Sequence, residues 1–249
     1  MILLNELREY AKTTNYTLGQ AEKDYYQEIL LFLLYQEYGQ ELVFKGGTAL
    51  TKCYGFNRFS EDLDFTATKK SNFKEILRQG LKRFYIEAEI TQEENKQTQH
   101  IRVLIQGPLY NQNRHSLCSI RVDISLRETI HLPTQKKLLG RKTPHIPAYE
   151  VIVMSQEEIL AEKIRAILTR DKARDLYDLY YLLQNEITTN KQLINQKLAL
   201  YNLFFEQETF QRRIQEKEPI YDKELKYLTQ THPTFNEMYE LVTTKDYIH

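Results

Sequence analysis

The apolar run Glu41-Leu42-Val43-Phe44 is followed at once by Gly46-Gly47, and a little further on the chain reads Arg58-Phe59-Ser60-Glu61-Asp62-Leu63-Asp64-Phe65. No other feature constrains the fold as much. The first run has the length of a strand and not of a helix. The two glycines turn it, and Thr48 to Tyr54 supplies a helical turn or two. Asp62 to Ala67 then alternates charge with apolar bulk, the pattern of a strand with one face in a core. Strand, glycine turn, helix and strand in that order point to a sheet with helices laid on it.

The remaining segments extend this pattern. Residues 1–18 read as a short helix and a polar link, and residues 20–38 as a long helix. Its apolar positions run nearly all round from Ile29 to Tyr35, so it should be well buried, with Gly39 as its stop. Residues 71–84 read as a helix capped by Ser71. Strands are expected at 85–90, 101–106 and 117–126. The last is the clearest, with Ile120, Val122, Ile124 and Leu126 facing one way and Ser119, Arg121, Asp123 and Ser125 the other. Residues 127–148 carry Pro133, Pro144, Pro147 and a basic run, and read as a loop and domain junction. Val151-Ile152-Val153 is a short extended piece. Helices follow at roughly 156–170, 172–184, 190–206, 208–216 and 221–230, the first with a Ser155–Glu158 capping box, and the end frays after Pro233. Two domains are therefore expected, 1–150 with mixed strands and helices and 151–249 with helices alone.

The opening residues also suit one kind of chemistry. Asp62 and Asp64 project from one face of a strand, with α-carbons roughly 7 Å apart. Carboxylates at that spacing can converge on one or two divalent ions, and magnesium prefers a few carboxylates plus phosphate oxygens to a closed protein cage. Asp123, on the polar face of its own strand, is the natural third metal ligand. On the other side, Gly46 and Gly47 let backbone N–H groups approach phosphate oxygens. The helix opening at Thr48 adds free amide donors and a hydroxyl. A nucleoside triphosphate gripped over Mg2+ fits both halves. Lys45, Gly46, Gly47, Thr48, Arg58 and Ser60 are the candidate substrate-binding residues.

Later in the chain, Lys163 falls inside the apolar stripe of Ile159, Leu160, Ile164 and Ile167. A lysine there has a task, has an ion-pair partner, or snorkels from the stripe's edge. Asp175 is the acid of interest, either as partner of Lys163 or as base for an attacking hydroxyl. For Arg170, Lys172 and Asp178, ordinary helix-surface pairing such as Arg174 with Asp178 is expected. Lys70, Lys74, Arg78 and Lys82 recur every four residues and make a solvated basic face or a track for RNA phosphates. With 34 basic and 34 acidic residues, the chain can meet nucleic acid only through local patches of this kind. Cys53 and Cys118 match no metal spacing and fit a reducing cytoplasm. The apolar start, Met1 to Leu4, is too short for a signal-peptide core, and no stretch approaches a membrane span.

Lys45-Gly46-Gly47-Thr48-Ala49-Leu50, the Arg58–Phe65 run and Arg174-Asp175-Leu176-Tyr177-Asp178-Leu179 resemble the motifs of the AbiEii family of nucleotidyltransferase toxins, from AbiE-type (type IV) toxin–antitoxin and phage-defence systems. The resemblance spans roughly residues 20–185. It implies an α/β (α+β) nucleotidyltransferase core of the DNA polymerase β-like kind, a mixed sheet with flanking helices, followed by a helical C-terminal domain. It implies Gly47 and Thr48 in the phosphate-gripping motif, Asp62 and Asp64 as metal ligands, Lys163 as the nucleotide-contacting lysine and Asp175 as the acid of the fourth motif. Asp123 follows the wider superfamily pattern. The implied activity is transfer of a nucleoside monophosphate from a triphosphate to an RNA acceptor, the tRNA 3′ end, with an AbiEi-like antitoxin as partner. Two other functions share these residues: a silent nucleotide- or RNA-binding module that docks an antitoxin, and a transferase acting on protein or a small molecule.

Overall fold

A computed structural model of the chain describes residues 2–245. It divides into two compact units. One gathers Met1–Gly55, Phe59–Arg127 and Thr134–Val153; the other gathers Phe56–Arg58, Glu128–Pro133 and Met154–His249.

The first unit begins with helices α1 (Leu4–Thr14) and α2 (Leu18–Tyr38). Thr17 starts α2 through a reciprocal cap: its hydroxyl accepts the Gln20 N–H, and the Gln20 side chain accepts the Thr17 N–H. Gly39, at φ 44°, ends it. Strand β1 (Leu42–Lys45), helix α3 (Gly46–Tyr54), strand β2 (Leu63–Ala67), helix α4 (Phe73–Arg83) and strands β3 (Ala88–Glu94), β4 (Thr98–Ile105), β5 (Cys118–Ser125), β6 (Gln135–Leu139) and β7 (Tyr149–Val153) follow. The strands form one sheet in the order β3-β4-β5-β2-β1-β7-β6. It is mixed: β2–β5 and β1–β7 are parallel and the other pairs antiparallel. Leu63, Phe65, Ile120, Val122, Ile124, Ile101 and Val103 are buried on one face. Helix α2 packs there, with Tyr35 against Phe65.

Several local expectations shift. Asn72, not Ser71, caps α4, accepting the Glu75 N–H. Strand β3 starts at Ala88 rather than 85, because Tyr85 turns the chain at φ 56°. Residues 127–148 contain β6, which zips onto β7 with Lys137 opposite Val151 and Lys136 bonded to Glu150. Its Gln-Lys-Lys-Leu-Leu sequence lacks the alternation that marks a strand, as suits a sheet edge.

Helix α3 is tied down by a buried ionic cluster. Lys52 lies 2.7 Å from Asp24 and 2.9 Å from Glu28, both on α2. Tyr10 donates to Asp24, and Tyr149 donates to Glu28 at 2.8 Å. Tyr149→Phe should therefore cost roughly 1.5–3 kcal/mol, the usual worth of a hydrogen bond to a charged group. Urea unfolding of the variant beside the parent measures it.

The second unit holds α5 (Gln156–Thr169), α6 (Arg174–Gln184), α7 (Lys191–Ala199), α8 (Gln207–Gln215), α9 (Glu218–Leu225) and α10 (Phe235–Thr244). Ser155 caps α5 by accepting the Glu158 N–H. The reciprocal half of the expected box is missing, because the Glu158 carboxylate accepts N–H groups of His131 and Leu132 and pairs with buried Lys197. Helix α7 stops at Ala199, short of 206. Beyond Pro233 the chain forms α10, capped by a Thr234–Glu237 box, where a frayed end is expected. Among the described residues no helix is long and apolar enough to cross a membrane.

Candidate functional site

Strand register assembles the charged residues of the first unit. Lys45 on β1 pairs with Asp64 on β2, Asp64 with Asp123 on β5, and Asp123 with His100 on β4. Residues paired across strands share a face, so the four form one row across the sheet. Phe44, Leu63, Phe65, Val122, Ile124 and Ile101, which flank them in sequence, are buried in the core. That core fixes the carboxylates on the opposite face: a slip of one residue would bury them all.

Helix α3 opens at the end of this row. Gly46 has φ +75°, and a Cβ there would lie 2.5 Å from Asp64 Oδ2. The Asp64 carboxylate thus rests against the first residue of the helix, beside its positive end. Gly46→Ala should cost roughly 1–3 kcal/mol in backbone strain and push the Asp64 carboxylate from its place. Thermal melting reads the first effect, and nucleotide transfer the second. Thr48 is placed differently from a phosphate-facing hydroxyl. It is buried, and its hydroxyl donates to the Asp62 carbonyl, locking α3 to the entry of β2. Ser60 lies nearby in sequence, and its carbonyl accepts from Gln27.

The other two carboxylates have side-chain partners on β4 and β5. Arg121 grips Asp62 through Nε and Nη2 at 2.9 and 2.6 Å. His100 Nδ1 lies 2.7 Å from Asp123. Among the described residues no three His, Cys, Asp or Glu side chains come together as a ready metal cluster. The donor set nevertheless suits a hard divalent ion. Asp64 and Asp123 sit in register on adjacent strands, Asp62 is two residues away on the same side, and all are oxygen ligands. Arg121 belongs to the polar face of β5, and its alternation with Asp123 was the one signal that it adjoins the acids.

In the second unit, Lys163 on α5 lies 3.0 Å from Asp175 and also pairs with Asp178, both on α6. Arg58 holds Asp178 through Nε and Nη2 at 2.6 and 2.8 Å. Arg170 grips Asp175 in the same two-pronged manner, at 2.8 and 2.9 Å. Both aspartates are 0% exposed, and Arg58 and Lys163 nearly so. Burial pushes Asp175 up, but Lys163 and Arg170 outweigh it and hold the carboxyl below the usual carboxylate range. Of the three explanations for Lys163, an ion-pair partner is the one observed. Asp178 is not a helix-surface partner of Arg174 but the centre of this buried cluster. Arg58, expected to meet substrate, is committed to Asp178 in the interior. Half of the basic series is also paired: Lys70 lies outside α4 and pairs with Glu94, and Arg78 forks onto Glu75.

Known proteins resemble the chain in sequence and in fold. The family model described as the nucleotidyl transferase AbiEii toxin of a type IV toxin–antitoxin system matches residues 30–241. No curated protein sequence matches. A provisionally assigned nucleotidyltransferase from H. pylori superposes with a TM-score of 0.62 at 21% identity, covering 89% of this chain and 91% of that one. MenT4, a nucleotidyltransferase toxin from Mycobacterium tuberculosis H37Rv, gives 0.57 at 19% identity, covering 99% of this chain and 91% of its own. JHP933 from Helicobacter pylori gives 0.53 at 19%, covering 90% and 88%. At these identities the likeness is one of fold.

Proposed function

The chain belongs to the AbiEii family of nucleotidyltransferase toxins of type IV toxin–antitoxin systems, and on that premise we propose that it transfers a nucleoside monophosphate from a triphosphate, held over Mg2+, to an RNA acceptor, the tRNA 3′ end. It acts in the cytoplasm as the toxin of a phage-defence pair whose antitoxin is AbiEi-like. The observation that carries this is the register row Lys45–Asp64–Asp123, laid beside the N-terminus of α3.

Asp62, Asp64 and Asp123 are the metal ligands, and the ion, when bound, neutralises phosphate charge and helps align the reacting groups. Gly46 and Gly47 present backbone amides to the phosphates. Lys45 adds a fixed positive charge at the same end of the row. The acceptor hydroxyl bonds to the α-phosphorus as the bond to pyrophosphate breaks, and most of the catalysis is positioning and charge stabilisation. By family resemblance Lys163 is assigned to nucleotide contact and Asp175 is the acid of the fourth motif, and their mutual pairing holds both side chains in fixed orientation. The division into a nucleotidyltransferase core over residues 1–150 and a helical domain over 151–249 is part of the same proposal.

Incubating the protein with each labelled triphosphate, Mg2+ and total RNA tests it. Label in tRNA-sized RNA is expected. Label on protein, on a small molecule, or nowhere would overturn the RNA acceptor.

A further inference from the structure

Two exposed arginines on the sheet stand beside the acidic row without being part of it. Arg102 on β4 and Arg121 on β5 stand directly opposite each other, and both are exposed. Like charges in that position repel. Arg121 relieves its charge on Asp62. The Arg102 side chain has no hydrogen-bond or ion-pair partner among the described residues. An anion bridging the two guanidiniums would turn the repulsion into a two-pronged grip, the geometry in which arginine recognises phosphate.

The strand order says which phosphate. Across the sheet run β1, β2, β5 and β4. The helix end that would hold the triphosphate lies at β1, the carboxylates stand on β2 and β5, and the arginine pair lies on β5 and β4. In a phosphoryl transfer the leaving and attacking oxygens lie roughly in line, on opposite sides of the phosphorus. With the leaving pyrophosphate at the β1 side, the acceptor enters from the β4 side and passes over Arg102 and Arg121.

We infer that Arg102 and Arg121 form the binding site for the phosphodiester backbone of the acceptor RNA, next to its reacting end. The inference rests on the RNA-transfer function proposed above and names the residues that would select a polyanionic acceptor. Arg121 serves in two ways: Nε and Nη2 each donate to Asp62, and the remaining N–H donors of the guanidinium are left for the acceptor. Contacts of this kind position a strand without reading its sequence.

The test uses Arg102→Ala, because the Arg102 side chain holds no partner among the described residues, with Arg102→Lys as the conservative control. RNA binding is read by fluorescence anisotropy without triphosphate, and KM is measured separately for RNA and for triphosphate. Arg102→Ala should weaken RNA binding and raise the RNA KM by roughly tenfold, the loss of one charge-assisted contact. The salt dependence should become shallower by about 0.7 in log–log slope, the value for one contact to a single strand. The triphosphate KM should stay put, and Arg102→Lys should recover most of the binding. RNA affinity equal to that of the parent would overturn the inference while leaving the transfer function standing. A rise confined to the triphosphate KM would overturn it in favour of a triphosphate site. If the parent neither binds nor labels RNA, the transfer function itself falls, and the acceptor site falls with it.

Discussion

Asp64→Asn is expected to cut nucleotide transfer a thousandfold or more and to move the melting temperature by only a few degrees. The substitution keeps the shape of the side chain and removes its charge. Asparagine therefore still fits against Gly46, where a single added carbon would lie 2.5 Å from the oxygen. It also relieves the repulsion from Asp123, which stands in register on the next strand, while weakening the attraction to the helix end and to Lys45. These opposed effects leave the folded state close to neutral. Catalysis has no such offset. A neutral amide is a poor ligand for a hard divalent cation, and the charge stabilisation such an ion provides is worth several kcal/mol. About 4 kcal/mol corresponds to roughly a thousandfold in rate. Transfer of labelled monophosphate and a thermal melt, run on the same preparation, check both halves. Activity within tenfold of the parent would remove Asp64 from the site.

Local pattern disclosed the sheet better than the ionic clusters. Leu63, Phe65, Ile120, Val122 and Ile124 alternate with polar residues, and each is buried as that alternation requires. Such periodicity is a property of neighbouring residues, so it is present in the sequence itself. Strand β6 escaped because an edge strand with lysines need not alternate. Helix α10 escaped although its capping residues, Thr234 and Glu237, were in plain view; the proline before them read as an ending. The pairing of Arg58 with Asp178 spans 120 positions, and nothing close to either residue announces it. The same holds for Arg121 and Asp62, separated by 59. Aspartates could be placed on a face by spacing, whereas the cations that meet them were set by which strands became neighbours.

The buried cluster of the second unit gives the largest expected loss of stability. Asp178 accepts both prongs of Arg58 and the ammonium of Lys163, all nearly or wholly shielded from water. Asp178→Ala leaves those two cations buried with Asp175 as the remaining acid. Removing one partner of a buried ionic cluster costs roughly 3–5 kcal/mol, a large share of the about 5–15 kcal/mol that holds a typical fold. The double change Arg58→Met with Asp178→Leu removes both charges and fills the space, so it should recover much of that loss. The pH dependence adds a second signature. Burial raises the Asp178 carboxyl, but Arg58 and Lys163 outweigh it and hold it below the usual range. In the unfolded chain an aspartate titrates near about 3.9. A depressed folded value means that the stabilisation is fully present above that pH and fades as pH falls through the folded value. The gap between parent and Asp178→Ala should therefore be widest near neutrality and narrow on acidification below about pH 4. Urea midpoints measured from pH 7 down to pH 3 would show it. A gap under about 1 kcal/mol at pH 7, the size of an exposed salt bridge, would mean that Arg58 and Lys163 are not held in the interior by Asp178.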